Sequence, residues 1–95
     1  MNVHRLPVRR NAITEVQILR ARYDEARAIK EAWDFRLHWA QAVHTDAVKY
    51  GGDTDATRRS LAAVEIQVAD AAGELKVALN AWMAATIPHH ERRTA

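Results

Sequence analysis

Glu31, Asp34 and His38 are the residues of this 95-residue chain whose types and spacing come nearest to a reactive site. They stand at i, i+3 and i+7, so one flank of a helix would carry all three, and a symmetry-related copy could complete a metal shell. The paired Glu-x-x-His motifs of di-iron bundles are absent, however. Arg27 with Glu31 and Lys30 with Asp34 are spaced i, i+4, which accounts for the same carboxylates as a solvated ion-pair flank. His44 stands alone, and His89-His90 follows Pro88 as part of a tail. Nucleophilic chemistry needs an activated hydroxyl or thiol, yet Ser60 is the sole serine and there is no cysteine. Gly51-Gly52 does not read as a phosphate loop, because Asp53 and Asp55 follow and would repel the anion. The chain is therefore expected to be non-enzymatic, with no catalytic residue, cofactor or metal.

The basic residues offer a second chemistry. Arg5, Arg9 and Arg10 lie at one terminus and Arg92 and Arg93 at the other, opposed locally by Glu91. An antiparallel hairpin would bring these two groups to one end as a cationic cluster, enough to attract nucleic acid or an acidic protein. No recognition helix or interleaved aromatics suggest base readout, so nucleic-acid association is the alternative reading rather than the leading one. Arg58-Arg59 is offset by Asp53 and Asp55.

The elements that would carry these residues follow from composition. There are 19 alanines against three glycines and two prolines, and Pro7 and Pro88 lie near the ends, where they interrupt no helix. Arginine outnumbers lysine eleven to three, which with the alanine content points to a GC-rich genome such as that of an actinobacterium or its phage. Asn11 is a candidate N-cap, and no breaker appears before Gly51-Gly52, so a first helix over about 12–50 is expected. Asp53 or Thr54 can cap a second helix over about 55–87. The architecture expected is all-α: a basic N-terminal arm over 1–10, a long antiparallel helical hairpin over 11–88 and a basic tail over 89–95.

The first helix carries two apolar stripes. One runs Val16, Leu19, Tyr23, Ala26, Lys30, Trp33, Leu37, Ala40, His44 and Ala47, alternating steps of three and four. The other runs Ile18, Ala21, Glu25, Ala28, Ala32, Phe35, Trp39 and Ala42 with the same alternation, about 200° away around the axis. The second helix has one uninterrupted seam, Leu61, Val64, Val68, Ala71, Leu75, Ala78, Trp82 and Ala85. Gly73 lies inside that helix and marks either a close crossing or a tolerated exposed position. One partner helix covers one stripe, so Ile18, Ala28, Ala32, Phe35, Trp39 and Ala42 are expected to meet another chain. A homodimer closing a four-helix bundle, or a helical hetero-partner, would satisfy them.

The turn reads Tyr50-Gly51-Gly52, and Trp39 is the nearest preceding tryptophan. In architecture alone, an alanine-rich, cysteine-free hairpin of this length resembles the WXG family of type VII secretion substrates, which place Trp-x-Gly at the turn. That tripeptide and the family's Tyr-x-x-x-Asp/Glu tail are both missing here, so no role or residue is carried over. No stretch approaches the roughly 18 apolar residues of a membrane span, and no signal peptide is evident. The expectation is a cytoplasmic helical interaction protein, an adaptor, inhibitor or assembly factor.

Overall fold

Two helices and one tight turn make up the computed structural model, which describes residues 6–86, with side chains from residue 15 onward. Helix α1 spans Leu6–Tyr50 and α2 spans Thr54–Thr86. The first helix begins earlier than the Asn11 cap implies. Pro7 falls in its first turn, where a missing N–H breaks no helical hydrogen bond, and nothing between Val8 and Thr14 stops the helix. Asn11 is thus interior to α1, and Leu6–Arg10, expected as part of an arm, continue the helix. Ile87, Pro88 and the tail over 89–95 lie outside the described residues.

The turn is built from three distinct local devices. Gly51 has φ +82°, a left-handed conformation that glycine adopts without steric cost, and it ends α1. The amides of Gly51 and Gly52 both donate to the Ala47 carbonyl, at 3.0 and 2.8 Å, which satisfies an acceptor left open by the end of the helix. Gly52 lies close against α1: a Cβ there would be 3.2 Å from both Cα and Cβ of Ala47, tighter than ordinary van der Waals contact. Asp53 then caps α2, its Oδ1 accepting from the Ala56 amide at 3.0 Å while its carbonyl accepts from the Thr57 amide at 3.2 Å. Lys49 in the last turn of α1 and Asp55 in the first turn of α2 each complement a helix dipole.

The pairing of the helices follows the heptads. Every member of the Val16-to-Ala47 stripe is half-buried, and every other described side chain of α1 is exposed. All eight positions of the α2 seam are covered as well, with Ala71 fully buried at 3% exposure. Near the open end, Tyr23 stacks on Trp82 with ring centroids 5.5 Å apart, and the Arg20 guanidinium lies 5.5 Å from the Trp82 ring. Near the turn, His44 Nδ1 meets Thr57 Oγ1 at 2.8 Å. The hydroxyl proton of Thr57 can go to the Asp53 or Thr54 carbonyl, each 3.2 Å away, leaving its oxygen to accept from the imidazole N–H. Lys30 also interrupts the stripe without burying a charge. Its stem lies along the seam while its ammonium reaches Asp34 at 2.8 Å.

Candidate interaction surface

The outer side of α1 has the same spacing as the inner side and no neighbour among the described residues. Phe35 is 63% exposed and Trp39 59%, and Ile18, Ala28, Ala32 and Ala42 are exposed on the same stripe. These side chains are held by a rigid element, because the inner stripe of the same helix is pinned to α2 through Trp33, Leu37 and their neighbours. Two further residues enlarge the patch. Ile29 and Val43 are exposed beside the stripe, two heptads apart on one flank. Their signal was present in the sequence as apolar residues at one repeat position, interleaved with Arg22 and Arg36. Arg36 folds back over the Trp33 ring at 4.7 Å, so its charge borders the apolar patch without covering it.

The outer side of α2 is apolar at wider intervals, with Ile66, Val77 and Met83 exposed. An open groove of about 650 Å³ runs along this helix, floored by Leu19, Ala69, Gly73, Val77, Ala78 and Ala81 and rimmed by Arg22, Asp70 and Glu74. A Cβ built on Gly73 would meet nothing within 4 Å, so this glycine does not mark a close crossing of α1 and α2. It belongs to the groove floor, on the side of α2 turned away from the Val64–Val68 part of the seam.

Of the three residues with reactive spacing, Glu31 and Asp34 are engaged in ordinary helix electrostatics, and His38 is exposed. Arg27 Nε donates to Glu31 Oε2 at 3.3 Å and Lys30 to Asp34 at 2.8 Å, as the i, i+4 spacing predicts, and Arg20 stands 3.9 Å from Asp24. No three His, Asp or Glu side chains converge with metal-ligating geometry among the described residues. Of the terminal arginines, Arg5, Arg92 and Arg93 lie outside the described residues, as do His89 and His90. Arg9 and Arg10 fall within α1, but their side chains are likewise outside the description. No described helix is long and apolar enough to cross a membrane.

No protein-family model, curated protein or solved structure matches the chain. The functional reading therefore rests on the surface itself. A compact monomer of this mass would expose about 5,500 Å². This chain exposes 7845 Å². Its radius of gyration is 21.2 Å, where a compact chain of 95 residues would have about 12 Å. The helices form a long, thin pair in which most apolar side chains are covered on one side only.

Proposed function

We propose that this protein is a non-enzymatic helical interaction module, an adaptor, inhibitor or assembly factor, that works by presenting the outer stripe of α1 to another helical surface. The exposure of Phe35 and Trp39 supports this most directly. Two large aromatics stand in water on a helix whose other apolar stripe is already covered by α2. Aromatic side chains of this size dominate association energies when a partner desolvates them, and contiguous exposed apolar patches mark such sites. The rigid backing of α2 suits the role, since a preformed surface loses little conformational entropy on docking.

The test compares the two stripes. Phe35→Gln with Trp39→Gln removes the outer aromatics, and Trp82→Ala removes one of the inner ones. The expected result is that the outer double variant keeps the helical circular dichroism of the hairpin while association is lost, and that Trp82→Ala lowers both the helicity and the unfolding midpoint. The reading is overturned if the double variant loses helicity as deeply as Trp82→Ala while the unfolding midpoint of the unmodified chain does not change with concentration. In that case the outer stripe would be part of an intramolecular core.

A further inference from the structure

We infer that the occupant of the outer stripe is a second copy of this chain, with the two α1 helices antiparallel about a two-fold axis that passes between Ala32 and Phe35. This rests on the interaction reading above and supplies its partner. The chain as a whole exposes roughly 2,300 Å² more than a compact monomer would, spread over both helices, and a standard interface would take about 800 Å² of it from each partner.

Size and charge along the stripe select the orientation. Its bulk is uneven, with Phe35 and Trp39 in the carboxyl half and Ala21, Ala28 and Ala32 towards the amino half. In a parallel pair each residue would face its own copy, setting Trp39 against the partner's Trp39 and Glu25 against the partner's Glu25 inside the seam. An antiparallel pair about the stated axis sets Phe35 against the partner's Ala32 and Trp39 against the partner's Ala28. Each ring then faces a methyl group, and large side chains interdigitate with small ones as close packing requires. Glu25 falls opposite the partner's Ala42, towards the end of the contact.

The flanks select the register. With the axis between Ala32 and Phe35, Glu31 faces the partner's His38, a donor for its carboxylate, and the symmetry repeats the pair. On the other flank Arg22 faces the partner's Val43 and Ile29 faces the aliphatic stem of the partner's Arg36, so no like charges meet. Sliding one heptad in one direction brings Arg22 opposite the partner's Arg36 and Glu31 opposite the partner's Glu31. Sliding one heptad in the other brings Arg36 opposite the partner's Arg36 and drives Phe35 against the partner's Trp39. Flanking charges of this kind set partner choice and orientation in paired helices. Of these three registers, only the one with its axis between Ala32 and Phe35 avoids both like-charge and ring-on-ring opposition.

The absence of cysteine makes the arrangement directly measurable, because a single introduced cysteine carries a spin label without background. Gln41→Cys and Gln17→Cys place labels on exposed positions of α1. Along the helix axis the two Gln41 labels are expected about 22 Å apart and the two Gln17 labels about 50 Å apart. Registers displaced by one heptad would put the Gln41 labels at about 33 or 12 Å. A parallel pair would hold both label pairs near the interhelical distance of about 10 Å. Light scattering should give twice the 10.7 kDa chain mass at tens of micromolar. Any of the alternative spacings, or a single-chain mass, overturns the inference. A single-chain mass would leave the outer stripe available to a different helix, whereas an intramolecular assignment of Phe35 and Trp39 would remove the surface altogether.

Discussion

The inner and outer stripes of α1 share a repeat and a supply of aromatics, yet Trp33 and Leu37 lie against α2 while Phe35 and Trp39 face water. The difference teaches that heptad spacing states how many sides of a helix need cover, and not what covers them. Within one chain the turn decides. Gly51 and Asp53 fix the direction in which α2 returns, and α2 brings a single continuous seam that fits one stripe. Among the described residues nothing covers the other.

The sharpest contrast should come from deleting one tryptophan on each side. Trp82 stacks on Tyr23 and is partly covered, so Trp82→Ala is expected to cost about 3 kcal/mol, the low end of the range for aromatic deletions in cores. Trp39→Ala, measured on the dissociated chain in dilute solution, should stay within about 0.5 kcal/mol, as surface changes do. Urea unfolding of both variants reads the difference. Equal losses would mean that the two stripes are not energetically distinct.

Two glycines extend the comparison from side chains to backbone. Gly51→Ala forces an L-residue to φ +82° and should destabilise the hairpin by about 1–2 kcal/mol. Gly73→Ala adds a methyl group to open space in a helix interior and should stabilise the isolated chain by roughly 0.5–1 kcal/mol. Thermal unfolding of the pair distinguishes them by sign. A loss at Gly73 in dilute solution would show that its side of α2 is already packed.

A smaller effect is expected inside the inner seam. His44 and Thr57 are its one polar contact between helices among the described residues, and a double-mutant cycle with His44→Ala and Thr57→Val should give a coupling of about 1 kcal/mol. The exposed Arg27–Glu31 pair should be worth only a few tenths of a kcal/mol and lose that in high salt. A coupling at His44 no larger than this surface value would mean that the 2.8 Å contact adds nothing specific to the seam.

Much of the fold was legible because the sequence is locally consistent. The three-four spacing named every half-buried residue of α1, and the same rule named all eight seam positions of α2. The turn was legible from Gly51-Gly52 and Asp53, residues whose backbone and capping chemistry have few other uses. The start of α1 was not. A proline in the first turn and an asparagine farther in both mark helix beginnings, and the earlier signal prevails because nothing after Pro7 breaks the helix. Ile29 and Val43 were passed over because a two-step stripe ignores its flank, and the groove along Gly73 and Val77 was invisible because it depends on how the two helices lie side by side. The outer stripe was legible as a surface, but spacing alone does not distinguish a second copy from another helix. The proposal of a second copy rests instead on the order of large, small and charged residues along it.

Trp39 itself can report whether it is covered. In a chain carrying Trp33→Phe and Trp82→Phe its indole is the only one left, since the protein has three tryptophans. Quenching of its fluorescence by a soluble quencher, followed from dilute to concentrated protein, reads access to the outer stripe directly. The account predicts ready quenching when dilute and shielding as concentration rises, because a second copy covers Trp39 by mass action. Quenching that stays the same across the whole range would contradict it.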